Sequence, residues 1–193
     1  LSAFDANGVV LADGTHIACD AVVLATGFYL DWYSNLDIKG RDGTSLRDAF
    51  TPHPFAYEGI LVPGFPNLMI TAGPNTGLTA NHAVMGEQHV HYIIELLQTM
   101  IDEDYSSVEV DVEACRAYNA WVDEALKDTA WYRRGAAHGY YRHDESGKIV
   151  LATPRHNSTV WHDTREPKME HIHGKRRPGA RPREARPMTR LSI

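Results

Sequence analysis

The feature of this sequence that most constrains its fold is an unbroken apolar run, residues 21–25, which ends in Thr26 and Gly27. A short apolar run bounded by turn formers predicts a β-strand buried on both faces, as in the parallel sheets of α/β proteins. Ligands bind at the carboxyl ends of such strands, where a glycine lets the backbone approach a bulky ligand closely. The run therefore predicts either a strand that delivers Ala25, Thr26 and Gly27 to a ligand, or a core strand followed by an ordinary glycine turn.

A second apolar segment, residues 67–71, predicts another buried strand, which the run 73–77 interrupts. A helix is predicted to follow from about Asn81 or His82 to Ile101. Its apolar positions recur at spacings of three and four residues, which predicts a stripe that faces the core, made of Val90, Ile93, Ile94, Leu97 and Ile101. Gly86 interrupts this helix, and close packing against another backbone or a cofactor would explain its presence.

Local signals predict the remaining elements. Asn7-Gly8 and Asp13-Gly14 are strong hairpin signals, so residues 1–4, 9–12 and 15–19 are predicted to form a small β-meander. Asp111 is a favourable N-cap for a second amphipathic helix, predicted from Val112 to about Asp128. Its predicted buried stripe consists of Cys115, Tyr118, Val122 and Leu126.

Three motifs, in this order along the chain, resemble those of a known enzyme family. Residues 20–27 resemble the Asp-x-x-x-x-Ala-Thr-Gly signature of flavoproteins with two dinucleotide-binding domains. Gly64-Phe65-Pro66-Asn67-Leu68 and Gly73-Pro74-Asn75-Thr76-Gly77 resemble the run that returns to the flavin in FAD-dependent monooxygenases. Residues 1–165 are therefore similar to Baeyer-Villiger monooxygenases and to the related flavin-containing monooxygenases.

This resemblance implies a fold, cofactors and a site. The implied fold class is α/β, a partial three-layer FAD/NAD(P)-binding fold with a β-meander, buried strands and two amphipathic helices. The implied cofactors are FAD and NADP, with O2 and a small organic molecule as substrates. The resemblance implies cofactor-binding roles for Ala25, Thr26, Gly27, Gly73, Pro74, Asn75, Thr76, Leu78 and Asn81. No residue stands out as a proton-transfer catalyst.

Electrostatics at the amino end of the helix after Gly77 gives a physical reason for the role that the resemblance implies. The first four N–H groups of a helix lack intrahelical partners and carry partial positive charge. They would stabilise the negative charge that a reduced flavin develops along its pyrimidine edge. The alternative is that Thr79 or Asn81 is merely the N-cap of the helix.

The sequence contains no Gly-x-Gly-x-x-Gly, the phosphate-binding loop of dinucleotide folds, and it begins in the middle of a pattern. We therefore expect the carboxyl-terminal portion of a flavoenzyme, inactive by itself. The expected divisions are residues 1–30, the end of an NADP domain with the crossing to the FAD domain; residues 31–167, part of an FAD domain; and residues 168–193, a basic disordered tail.

Charge and composition exclude several other classes. Residues 168–193 contain eight Lys or Arg and two Glu, so the net charge of −6 for the chain leaves −12 on residues 1–167, which argues against a nucleic-acid surface. The two cysteines lie far apart, as in cytoplasmic proteins, and no apolar run is long enough to span a membrane. None of the eleven histidines has metal-site spacing, and most are expected at the surface.

Two alternatives stay open. The chain is compatible with another flavoenzyme of the same architecture, such as an N-hydroxylase or a pyridine-nucleotide reductase. It is also compatible with an interaction domain that derives from a flavoprotein and associates with itself or a partner through an exposed apolar face.

Overall fold

Two small antiparallel sheets and two long helices organise the chain. The computed structural model describes residues 1–26, 32–77, 81–133, 141–143 and 146–179. Strands β1 (Ala3–Asp5), β2 (Gly8–Val10) and β3 (His16–Ala18) form the first sheet, and β4 (Tyr105–Val110) pairs with β5 (Ile172–Arg176) in the second. The helices are α1 (Leu46–Ala49), α2 (His82–Asp102), α3 (Val112–Leu126), α4 (Ala130–Arg133) and α5 (Asn157–Asp163), and Trp32–Asn35 and Met169–His171 form 3-10 turns. The predicted mixed α/β class is confirmed.

The first sheet is the predicted β-meander. Phe4 pairs with Val9, which in turn pairs with Ile17. Gly8 has a φ of +152°, and a Cβ at this position would lie 2.1 Å from the carbonyl oxygen of Ile17, so only glycine fits the close approach of β2 and β3. The hairpin signals were therefore sufficient to predict this sheet.

The apolar run 21–25 is not a buried strand, so this prediction was wrong. Residues 21–26 have no regular secondary structure, and the exposed fraction is 45% for Val22, 86% for Val23 and 69% for Leu24. A strand forms only by pairing, and no strand in the described part of the chain runs beside this segment. The apolar composition of the run predicted burial, but none of the described residues covers it.

In the second predicted strand, residues 67–71, only one residue forms a β-bridge. Met69 is bridged to Leu61, and the N–H of Ile70 donates to the carbonyl of Ile60 at 2.9 Å. Ile70 is buried, with 7% of its surface exposed. Asn67 has a left-handed φ of +62°, and both Asn67 and Thr71 are exposed, so the prediction of a buried strand was wrong for this segment.

Helix α2 begins and ends where the sequence predicts, but it buries a different face. Its buried residues are Met85, Gln88, His89, Tyr92 and Leu96. Four members of the predicted core stripe are exposed instead, namely Val90, Ile94, Leu97 and Ile101. Both sets have helical spacing, so periodicity alone could not choose between them. Tertiary contact decides, because Tyr92 and Leu96 pack against Tyr57, Val108 and Val110 in the main core.

Helix α3 confirms its prediction more closely. The Asp111 side chain caps it by accepting from the N–H of Ala114 at 2.9 Å. Cys115, Val122 and Leu126 are buried as predicted, and Tyr118 is partly buried against them. The buried face of α3 could be predicted because the helix has a clear N-cap and one main stripe of apolar residues at helical spacing.

The beginning of the predicted disordered tail is ordered. From Ile172 to Arg176 the chain pairs with β4, with Ile172 opposite Val110. The Tyr57 hydroxyl lies 2.7 Å from Nδ1 of His171, which anchors the approach to this strand. Residues 180–193 lie outside the described residues. The disorder prediction was wrong for residues 172–176, because this basic segment pairs with β4 as a strand.

In the described part of the chain, no helix is both long enough and apolar enough to cross a lipid bilayer.

The reversed face of α2 can be tested with two adjacent leucines. Leu96 is fully buried and Leu97 is 44% exposed. We expect Leu96→Ala to lower the free energy of unfolding by about 2–5 kcal/mol, as for other buried leucines, and Leu97→Ala to lower it by less than about 1 kcal/mol. Urea denaturation of the 193-residue chain measures both. The reverse ranking would restore the stripe predicted from the sequence.

Candidate functional site

The run 73–77, called here the Gly73 loop, carries the best candidate site. Asn75 adopts a left-handed φ of +57°, which asparagine tolerates better than most residues. Its side-chain amide donates to the carbonyl oxygens of Ile149 at 2.8 Å and Ala152 at 2.9 Å. The Thr76 hydroxyl donates to the carbonyl of Gly73 at 2.7 Å. Both side chains are buried and hydrogen-bonded within the chain, so neither is available to a ligand.

Segment 149–153 docks along one side of the Gly73 loop through main-chain hydrogen bonds. The N–H of Asn75 donates to Val150 at 2.8 Å, and the N–H of Gly77 donates to Leu151 at 2.7 Å. The N–H of Thr153 donates back to the carbonyl of Gly77 at 3.0 Å. These bonds fix the loop's path, because buried backbone groups are costly to leave unpaired.

A tight turn, residues 57–60, supports the other side of the loop; we call it the Glu58 turn. Glu58 and Gly59 have φ values of +52° and +70°, and the N–H of Ile60 donates to the carbonyl of Tyr57 at 2.9 Å. A Cβ on Gly73 would lie 2.1 Å from the carbonyl oxygen of Gly59. The two backbones are thus in direct contact, which requires glycine at position 73.

A buried ion pair holds the Glu58 turn. The guanidinium of Arg155 donates to Glu58 at 2.6 Å and to the hydroxyl of Tyr118 at 3.1 Å, and it lies 3.3 Å from the carboxylate of Asp163. The side chains of Arg155 and Glu58 are only 7% and 5% exposed. Burial raises the pKa of Glu58, and the charge of Arg155 opposes that rise. Arg155 Nε is buried and has no hydrogen-bond partner among the described residues.

His89 holds the residue that precedes the loop. Ala72 has a left-handed φ of +54°, which is unfavourable for alanine, and its N–H donates to Nδ1 of His89 at 2.9 Å. Nδ1 must therefore be an acceptor without a proton. Only 1% of His89 is exposed, and burial lowers its pKa to about 4. The expectation that histidines lie at the surface was wrong for this residue.

Helix α2 begins five residues after Gly77. The side chain of Asn81 accepts from the N–H of Val84 at 2.9 Å, so Asn81 is the N-cap. This is the capping role that the sequence left open, and it occupies the Asn81 side-chain oxygen. The other first-turn N–H groups of α2 are those that a helix leaves without intrahelical partners.

The structure brings together part of the predicted site. Gly73, Pro74, Asn75 and Thr76 lie in one buried loop. Ala25 and Thr26 lie at the end of the exposed segment, and no hydrogen bond joins them to the Gly73 loop in the part of the chain that the structure describes. Gly27 and Leu78 lie outside the described residues. Cofactor contact by any of these residues stays a prediction.

Sequence reasoning missed Glu58, Arg155 and His89. The Glu58-Gly59 pair between two apolar residues is a turn signal that could have been found. Arg155 is 97 residues from Glu58 in sequence, and nothing local marks it as buried. Among the described residues, no group of three or more His, Cys, Asp or Glu side chains could hold a metal ion.

Comparison with known proteins places this geometry in context. No family model matches the chain. It is 34% identical over 163 residues to a Baeyer-Villiger monooxygenase of Pseudomonas aeruginosa, a match that covers 83% of this chain and 29% of the relative. A Baeyer-Villiger monooxygenase of Streptomyces coelicolor is 32% identical over 167 residues, covering 85% of this chain and 30% of the relative. An FAD-binding monooxygenase of Dothistroma septosporum is 31% identical over 150 residues, covering 77% and 24%.

Solved structures share the fold. A closed cyclohexanone monooxygenase superposes with a TM-score of 0.73 at 23% identity, over 90% of this chain and 34% of that one. An oxidised steroid monooxygenase bound to NADP gives a TM-score of 0.73 at 20% identity, over 90% and 33%. The resemblance is confirmed: the chain is homologous to Baeyer-Villiger and FAD-binding flavoprotein monooxygenases. It spans about a third of their length or less.

Two glycines in this region are expected to respond oppositely to alanine. Gly73→Ala places a Cβ against the Gly59 carbonyl and should lower the free energy of unfolding by about 1–3 kcal/mol. A Cβ at Gly86 would meet no atom of another described segment within 4 Å, so Gly86 does not pack against another backbone there. Gly86→Ala should therefore raise the free energy of unfolding by about 0.5–1 kcal/mol. Chemical denaturation measures both, and stabilisation by Gly73→Ala would contradict the backbone contact.

His89 makes stability depend on pH. Its folded pKa of about 4 lies below the ordinary value of 6.5, so the unfolded chain binds more protons between these values. The contribution is complete above pH 6.5 and is lost as the pH falls towards 4, at up to about 1.4 kcal/mol per pH unit. His89→Asn, which keeps a short acceptor, should flatten this slope. Denaturation curves from pH 7 to pH 4 measure it, and an unchanged slope in the variant would refute the assignment.

Proposed function

We propose that this chain forms the carboxyl-terminal third of an FAD-dependent monooxygenase, which uses NADPH and O2 to insert oxygen into a ketone or to oxygenate a soft nucleophile. The homologues supply the family, and relatives named for Baeyer-Villiger oxidation and FAD binding support the activity. The structural observation that carries the proposal is the Gly73 loop, which is held on both sides immediately before α2. A small organic substrate, O2 and a cytoplasmic location belong to the same proposal.

The first turn of α2 fits one edge of a flavin by its backbone. The side chains of Asn75 and Thr76 and the N–H groups of Asn75 and Gly77 are all bonded within the chain, so the candidate ligands for the flavin are the N–H groups in the first turn of α2. The partial positive charge of that helix end would stabilise negative charge at the pyrimidine edge of the ring. Bound FAD would supply the reaction with O2. The chain's own contribution is to position the ring and to place fixed dipoles beside it.

The segment 20–26 has a separate proposed role. Its exposed apolar residues and lack of a partner strand suit a segment that pairs with residues beyond this chain. We assign it to the crossing between the NADP and FAD domains, with Ala25, Thr26 and Gly27 at its end. The division of the chain at about residue 30 follows from this assignment, whereas the expected division at residue 167 does not, because Ile172–Arg176 pairs with β4.

One observation favours a second function, an interaction domain. The exposed stripe of α2, made of Val90, Ile94, Leu97 and Ile101, is an apolar face of the kind that drives association. The chain expressed alone would then self-associate through it. In the monooxygenase proposal the same face is covered by the remainder of the enzyme, so the two functions differ in whether the chain acts alone.

A chimera tests the proposed function. The segment of the Pseudomonas aeruginosa relative that matches this chain is replaced by residues 1–179. We expect the chimera to purify with bound FAD and to oxidise NADPH in a ketone-dependent manner, measured by absorbance at 450 and 340 nm. The same exchange with the matching segment of the Streptomyces coelicolor relative is the positive control.

The 193-residue chain expressed alone is the matched negative control. It should be colourless and should not oxidise NADPH, because it lacks the phosphate-binding Gly-x-Gly-x-x-Gly loops. The proposal would be contradicted if this chimera folded but bound no FAD while the control chimera was active. A yellow, NADPH-oxidising isolated chain would contradict the assignment to a partial enzyme.

A further inference from the structure

The guanidinium of Arg155 contacts four side chains of the described part of the chain at once. It bonds Glu58 and Tyr118, lies beside Asp163, and stacks over the rings of Tyr118 and Trp121 at 5.6 and 5.8 Å. Burying such a pair is costly, and the gain in stability is often small. A buried ion pair is therefore better explained by what it holds in place than by the stability that it adds.

What it holds is the Glu58 turn, at the one point where that turn contacts the Gly73 loop. Glu58 is not a residue that favours a φ of +52°, and its carboxylate is the group that Arg155 binds. The next residue, Gly59, contacts Gly73 and Thr76 directly. A shift of the Glu58 turn would therefore displace the loop, because their backbones are in contact.

Arg155 also follows closely on the segment that docks the other side of the loop. Segment 149–153 binds Asn75 and Gly77, and Arg155 is two residues beyond its end, with its N–H 3.3 Å from the hydroxyl of Thr153. The same short stretch of chain thus binds the loop on one side and, through Arg155, the turn that supports it on the other. The Arg155 guanidinium therefore links segment 149–153, on one side of the loop, to the Glu58 turn on the other side.

We propose that Arg155 is a positioning residue that sets the geometry of the Gly73 loop through Glu58 and Gly59. The loop geometry itself does not depend on the cofactor, and its consequence for the flavin rests on the proposed function. Arginine suits this role because its planar fork reaches Glu58, Tyr118 and Asp163 together. A lysine ammonium at the same position would bind only part of this set.

The test must separate positioning from stability. Arg155→Met alone leaves the Glu58 carboxylate buried and unpaired, so the variant should unfold at lower denaturant concentration. The double variant Arg155→Met, Glu58→Gln has no orphaned charge and should recover most of that loss. If Arg155 positions the loop, hydrogen exchange at the Asn75 and Gly77 amides should still be at least tenfold faster in the double variant, while exchange at Leu96 in the core is unchanged.

A second ion pair, of similar length but with an exposed arginine, supplies the control. Arg41 donates to Glu109 at 2.6 Å, the same distance as between Arg155 and Glu58, and Glu109 binds the N–H of Gly64 rather than the Gly73 loop. Arg41→Met, Glu109→Gln should leave exchange at Asn75 and Gly77 unchanged. Loop exchange that is unaltered in the Arg155 double variant, or equally fast in both double variants, would overturn the proposal.

A cofactor measurement completes the test. In the chimera described above, the Arg155 double variant should weaken FAD binding at least tenfold, and the Arg41 double variant should not. Faster loop exchange with unchanged FAD affinity would reduce Arg155 to a structural residue and overturn its positioning role at the flavin. If the parent chimera binds no FAD, the proposed function fails, and the exchange rates of the isolated chain still decide whether Arg155 sets the loop.

Discussion

The contact between the backbones of Gly59 and Gly73 is the constraint on which the rest of the site depends. It is possible only because neither residue carries a Cβ, and it brings a turn and a loop that are 14 residues apart in sequence into van der Waals contact. Once this contact is made, the buried polar groups around it must find partners. Asn75 and Thr76 bond to main-chain carbonyls, Glu58 bonds to Arg155, and the Ala72 N–H bonds to His89.

The consequence for function is a loop that is held by contacts within this chain. The side chains of Asn75 and Thr76 and two of the loop's N–H groups are bonded within the chain, so a cofactor would meet the dipole at the amino end of α2. Dipoles that are already oriented stabilise developing charge without reorganisation. Such a role needs neither an acid nor a base in this chain, which agrees with the absence of a proton-transfer candidate in its sequence. In this account Arg155, which lies outside the loop, helps to hold it through Glu58.

The parts of the fold that could be predicted are those whose signals are local. The β-meander follows from Asn-Gly and Asp-Gly pairs, and α3 follows from a capping aspartate and one apolar stripe. The face of α2 could not be predicted, because the helix has two stripes at helical spacing and the buried one includes the polar Gln88 and His89. The strand expected at residues 21–25 failed because a strand depends on neighbours. For the site, the Gly73 loop was found by its motif, whereas the Glu58–Arg155 pair depends on the fold alone.

Hydrogen exchange of the wild-type chain at neutral pH tests the central claim most directly. If the Gly73 loop is fixed by its own contacts, the amides of Asn75 and Gly77, which donate to Val150 and Leu151, should exchange as slowly as the amide of Leu96 in the core of α2. Exchange of these two amides as fast as that of Leu24, in the exposed segment 20–26, would contradict the account, because the loop would then need a ligand to become ordered.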